Sequence, residues 1–150
     1  MSLLNNLAEE LKTAMRAKEI IKLEALRAIK SAVLLAQTSL GASSELSEDE
    51  EIKLLQKLVK QRKDSATIYK QQNRKDLADP EEVQAAVISQ FLPEQISEDE
   101  VGKVVEEIIR LTGADGMKDM GKVMGMASKQ LGGKADGKTI SNIVKAKLSV

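Results

Sequence analysis

The sequence has no cysteine, no histidine and no tryptophan, and its 150 residues include one tyrosine (Tyr69), one phenylalanine (Phe91) and two prolines (Pro80, Pro93). Without cysteine there is no disulfide framework, thiol nucleophile or thiolate metal site. Without histidine the commonest general base and the commonest metal ligand are missing. The scarcity of aromatics leaves the core to Leu, Ile, Val, Ala and Met, and few β-branched runs argue against a sheet. No apolar run reaches membrane-spanning length, and the first residues lack the charged-then-apolar pattern of a signal peptide. A cytoplasmic address and no membrane partner are therefore expected by default.

What is present reads as helix. Long Ala/Leu/Glu/Lys/Gln stretches carry apolar residues at helical spacing. A first helix capped by Ser2 carries Leu3, Leu7, Leu11 and Ala14/Met15. After a break at Lys18–Glu19, a second helix runs up to the small-residue loop Gly41-Ala-Ser-Ser. Ser47-Glu48-Asp49-Glu50 is a capping box opening a helix to about Lys75, with Ile52, Leu55, Val59, Ala66 and Tyr69 on one arc. Asp79-Pro80 predicts an N-cap and first helical position, followed by Val83, Ala86, Val87 and Phe91. Pro93 prevents continuation, and Ser97-Glu98-Asp99-Glu100 restarts the chain with a second capping box. The expected architecture is all-α with two domains. Residues 1–92 form a bundle of about four helices, and 93–150 a three-helix module.

The formal net charge is zero, yet the charges are segregated. Residues 53–75 hold eight basic groups against one acid, 76–107 hold ten acids against one lysine, and 108–150 hold eight basic groups against three acids. Such asymmetry reads either as a polyanion-facing side or as ordinary helix faces that happen to be lysine-rich. Within 53–75, Lys60 and Lys63 share the polar half of the helix, while Arg62 falls inside the apolar stripe. A guanidinium there is either pinned to a neighbouring helix or forms a recessed phosphate fork.

The chain is organised around Met117–Thr139. At about 100° per residue, Met117, Met120, Met124, Ala127 and Leu131 fall on one arc of a helix. Lys118, Lys122 and Lys129 fall on another, with Gly125 among them, and Met126 points away from the seam. Gly132–Gly133 ends this helix, and Asp136 caps the last one, which carries Ile140, Ile143, Val144 and Leu148. Gly121 sits at the seam's edge, as close helix packing would require. No nucleophile–base pair stands out. The carboxylates cluster at helix starts, and the glycines of 121–137 follow no strand, so neither a catalytic residue nor a metal site is expected.

Four segments, V-K-Q-R-K-D-S (59–65), F-L-P-E-Q-I-S (91–97), M-K-D-M-G-K-V-M-G (117–125) and A-D-G-K (135–138), resemble the YqeY family of small bacterial proteins over essentially the whole chain. That family is similar to the C-terminal tail of GatB, a component of the tRNA-dependent amidotransferase. The resemblance implies a helical two-domain fold, no cofactor, and a non-catalytic accessory protein binding tRNA or other structured RNA. Its further partners would be an amidotransferase or an aminoacyl-tRNA synthetase. It also implies a link to carbon–nitrogen ligases with glutamine as amido-N-donor, inherited from the larger GatB protein. Lys118, Lys122 and Lys129 are then expected to contact successive phosphates, with Gly125 admitting the RNA backbone. Lys134 and Lys138 flank the Asp136 cap, and Lys60, Arg62 and Lys63 are candidates on the other basic helix. Shape-based readout fits a chain without stacking aromatics. The rival reading is a protein-interaction adaptor whose methionines, Met126 above all, line a groove for a partner helix. Another is an accessory part of a ligase assembly. Oligomeric state is left open.

Overall fold

The computed structural model describes residues 3–41 and 45–149, except the side chain of Leu40. Among these there are seven α-helices, one short 3-10 turn and no strand. The helices form two compact units, Met1–Leu92 and Pro93–Val150.

The first unit contains α1 (Leu7–Ala17), α2 (Ile20–Leu40), α3 (Glu48–Gln71) and α4 (Lys75–Ser89). The Ser2 cap lies outside the described residues. The chain through Leu3 and Leu4 is a turn, and α1 starts only at Leu7. Lys18 closes α1 in the left-handed conformation, its N–H donating to the carbonyls of Ala14 and Met15. Ser47 makes both arms of its capping box. The Glu50 N–H donates to Ser47 Oγ at 3.2 Å, and the Ser47 N–H donates to Glu50 Oε2 at 2.8 Å. The alanines and branched aliphatics of all four helices build the core, centred on Leu26, Ile29, Leu55 and Ile88.

Asp79-Pro80 is not a helix start. α4 begins at Lys75, and Pro80 lies inside it. The reversal is made earlier, by Asn73 at φ 58° and by Arg74, whose N–H donates to the Tyr69 carbonyl at 2.7 Å. Starting there buries Ala78 completely. The cost is one missing backbone bond at Pro80, the sixth residue of the helix, and crowding of its ring against the Asp76 carbonyl. The buried stripe of α4 is accordingly Ala78, Ala85, Val87 and Ile88, while Val83 is 46% exposed and Ala86 is exposed.

In the second unit, α5 (Glu98–Thr112), α6 (Met120–Leu131) and α7 (Gly137–Leu148) pack pairwise, with the 3-10 turn Met117–Asp119 leading into α6. Ser97 caps α5, its Oγ accepting from the Glu100 N–H at 3.2 Å. Gly113 ends α5 at φ 67°. The core is Val101, Val105, Ile108, Val123, Ala127, Leu131, Ile140, Val144 and Leu148. Leu111 points outward at 63% exposure.

The F-L-P-E-Q-I-S segment ties this module shut. Gln95 Nε2 donates to the carbonyls of Pro93 at 2.7 Å and Gly133 at 2.6 Å, and the Ile96 N–H donates to the Lys134 carbonyl at 3.0 Å. These bonds fix the α6–α7 loop. Gly132 there is tight for a side chain, since a Cβ would lie 3.0 Å from the Ser128 carbonyl oxygen. Gly133 takes φ 80°, a conformation that favours glycine.

Candidate nucleic-acid interface

Lys122 and Lys129 are held at the surface by what the opposite face of α6 buries. Val123 is fully enclosed, Ala127 and Leu131 continue its stripe, and Met120 and Met124 pack beside it. Sequence reasoning missed Val123, because counting methionines drew the seam about one position off. Met126 also packs against the core, so it does not present the separate groove that the adaptor reading required. Met117 is 43% exposed and belongs to the 3-10 turn.

With the apolar stripe fixed, Lys122, Gly125 and Lys129 lie exposed on the far side of α6. Lys122 and Lys129 are about two turns apart, on the order of 10 Å along the axis, with Gly125 between them. Lys118 is exposed but stands on the 3-10 turn, where Asp119 Oδ2 accepts from the Asp115 N–H at 2.8 Å. The basic row is thus a helix pair plus a lysine on the approach to it, and not one uninterrupted helical stripe.

Gly121 and Gly125 are both exposed, and a Cβ at either would meet nothing within 4 Å. Among the described residues no helix packs against Gly121, contrary to the expectation of close packing there. Lys134 and Lys138 are exposed on either side of Asp136. Asp136 holds the N-cap position of α7 without making a side-chain cap bond. None of the ammonium groups of Lys118, Lys122, Lys129, Lys134 or Lys138 bonds or pairs with another described residue. The acids of the module lie chiefly on α5, where Glu106 pairs with Lys147 and Glu107 with Arg110.

The basic face of the first unit is built differently. Lys60 lies 2.9 Å from Asp64, and Lys70 pairs with Glu82 of α4. Lys63 is exposed beside a groove of about 490 Å³ lined by Ala66, Thr67, Glu82 and Ala85. Arg62 is half-buried and engaged within the fold. Its Nε donates to Gln84 Oε1 at 3.2 Å and its Nη1 to the Leu58 carbonyl at 3.3 Å. Gln84 Nε2 in turn donates to Glu24 Oε2 at 3.2 Å. A neutral amide thus bridges α3 to the acid on α2, a relay that a sequence pattern does not reveal.

No group of three or more Asp or Glu side chains suited to a metal ion occurs among the described residues. Among them, too, no helix is long and apolar enough to cross a membrane.

A family model described as Yqey-like protein matches residues 4–148. The chain belongs to the YqeY family. A relative from Meyerozyma guilliermondii, "Altered inheritance of mitochondria protein 41, mitochondrial", is 32% identical over 135 residues, covering 86% of this chain and 68% of that protein. A protein of the same designation from Clavispora lusitaniae is 37% identical over 91 residues, or 61% of this chain and 52% of its own length. The E subunit of the glutamyl-tRNA(Gln) amidotransferase of Thermococcus sibiricus is 44% identical over 57 residues, or 35% of this chain and 9% of that protein.

This YqeY protein is therefore related to a segment of an amidotransferase component. Its cytoplasmic address does not stand, because both fungal relatives are designated mitochondrial. The default argument failed for a physical reason. Addresses are carried by processed segments that need take no part in a folded domain, so a helical core is silent about them.

Proposed function

We propose that this YqeY protein is a non-catalytic accessory that binds tRNA or similarly folded RNA through the lysine face of its second unit. The observation carrying this reading is the pairing of unneutralised cations with bare backbone. Lys118, Lys122 and Lys129 have no acidic partner among the described residues, and Gly121 and Gly125 leave the helix between them uncovered. Lysines of this kind gain by replacing the counterions around phosphates. The uncovered backbone lets a sugar–phosphate chain approach the helix closely. Lys134 and Lys138 extend the face toward α7. The Asp136 carboxylate occupies the end of that helix, so phosphate is held there by the flanking lysines and not by the helix terminus. Lys60, Lys63 and Arg62 form a secondary, partly neutralised surface.

The similarity to a component of a glutamyl-tRNA(Gln) amidotransferase supports tRNA as the RNA class. Association with an amidotransferase or an aminoacyl-tRNA synthetase follows as part of the same proposal. The test is fluorescence anisotropy of labelled tRNA across a salt series, with the full chain and its Lys118→Glu/Lys122→Glu/Lys129→Glu variant. Binding that weakens steeply with salt and is lost in the variant is expected. Absence of binding at low salt, or equal binding by the variant, would contradict the reading.

A further inference from the structure

The exposed side of α2 is unlike that of any other helix in the first unit. Its inward residues Ala25, Leu26 and Ile29 are fully buried. On the opposite face, Ile20, Glu24, Arg27, Ser31, Leu34 and Thr38 recur at alternating spacings of four and three, and none of them is buried. This is the rhythm of a helix–helix seam, and the described chain leaves all six residues unburied, with only the Gln84 amide reaching Glu24. Ile20 is 70% exposed, Leu34 54% and Leu35 71%, and Ile21 stands at the edge. Thr38 and Ser39 turn their hydroxyls back onto the carbonyls of Leu34 and Leu35, so the far end presents little polar surface.

The order along the face is apolar, acidic, basic, apolar. Glu24 has no cationic partner among the described residues, its Oε2 accepting only from the neutral Gln84 amide. Arg27, three residues on, makes no ion pair or side-chain hydrogen bond among them. Two opposite charges at the middle of an apolar face are poorly suited to a lipid surface, where the buried face is apolar throughout. They suit a second helix that brings the opposite charge to each.

We infer that this face pairs with itself, α2 against α2 of a second copy, antiparallel about a two-fold axis passing near Arg27 and Ala28. In that register Ile20 meets Leu35 of the second copy and Ile21 meets its Leu34, at both ends of a contact roughly 22 Å long. Each Arg27 then lies within about one helical turn of the other copy's Glu24, inside the reach of its side chain. A two-fold contact requires a self-complementary surface, and this sequence of apolar, minus, plus, apolar is one. One helix from each side buries less than the roughly 1,200 Å² of a standard complex, so the dimer is weak, with a micromolar dissociation constant.

Sedimentation equilibrium of the full chain tests this over about 5 to about 500 µM, the range in which so small an interface associates. The apparent mass is expected to rise from 16.3 kDa toward twice that value. Leu34→Glu/Leu35→Glu, at exposed positions, is expected to keep its helical circular dichroism and stay monomeric throughout. Arg27→Glu alone brings like charges together and is expected to weaken association about tenfold or more. Adding Glu24→Arg to it restores the pairing with signs exchanged, to within about threefold of the original. Three results would each overturn the inference. These are a monomeric parent chain at the highest concentration, unchanged association of the Leu34/Leu35 variant, and a double exchange no tighter than Arg27→Glu alone.

Discussion

On α3, Lys60 lies 2.9 Å from Asp64, Lys70 pairs with Glu82 and Arg62 is held by Gln84 and the Leu58 carbonyl. On the 3-10 turn and α6, Lys118, Lys122 and Lys129 have no such partners among the described residues. Counted along the chain, the two stretches look alike. Folded, half of the first charge is spent on the fold, while Lys53, Lys57, Lys63 and Lys75 stay unpaired among the described residues. The second is left open, beside two glycines that the packing does not require. What a polyanion meets is the charge that remains after neighbouring helices have taken their share.

The sharpest way to break this contrast is to reverse charge on each face in turn. Lys118→Glu/Lys122→Glu/Lys129→Glu is expected to weaken tRNA binding by about 100-fold at low salt, whereas Lys60→Glu/Lys63→Glu costs only severalfold. Anisotropy titrations of both variants decide it, and equal losses would erase the distinction.

The next effect concerns what holds the open face in shape. Gln95→Ala removes the donor to the Pro93 and Gly133 carbonyls and is expected to destabilise the chain by about 1–2 kcal/mol in urea unfolding. Arg62→Met, which removes the link to Gln84 within the first unit, is expected to leave tRNA affinity within about twofold.

Much of this was legible in the sequence. The capping residues Ser47 and Ser97 and the α7 stripe of Ile140, Val144 and Leu148 follow from local rules that tertiary packing did not override. The errors arose where local rules compete. Asp79-Pro80 carries a strong helix-start signal, yet the turn at Asn73–Arg74 began α4 earlier. The phase of the Ala85–Ile88 run cannot be read from four consecutive small or apolar residues. Methionines suggested the α6 seam, but the shorter Val123 fills its centre, in the core that α6 shares with α5 and α7. The Arg62–Gln84–Glu24 relay spans three helices, so no sequence spacing encodes it.

A smaller effect of opposite sign follows from the two exposed glycines. A helix-interior glycine is less favourable than alanine by about 0.5–1 kcal/mol, and a Cβ at Gly121 or Gly125 meets nothing. Gly125→Ala is therefore expected to raise stability by about that amount in thermal unfolding, and Gly121→Ala, in the first turn of α6, by less. Gly125→Ala is at the same time expected to weaken tRNA binding severalfold. Gains in both properties would remove the reason for glycine on this face.

The smallest effect is one of pH. The Arg74 guanidinium, donating at 3.1 and 3.0 Å, holds the Asp76 carboxyl below its ordinary value, and the hydrogen-bonded Arg110 does the same for Glu107. A carboxyl depressed in the fold adds stability that is full above its unfolded value, near about 4, and is lost as pH falls through the folded one. Both pairs are on the surface, so the contribution is slight. The stability difference between the parent chain and Arg74→Gln/Arg110→Gln is expected at about pH 7 and should vanish by about pH 2.

The most direct test of the open lysine face is a nitrogen-15 NMR titration of the full chain with unlabelled tRNA at low salt. The earliest and largest amide shifts are expected at Lys118, Lys122, Gly125 and Lys129, fading as salt is raised. Shifts confined to α2 or α3, with α6 unmoved, would contradict it.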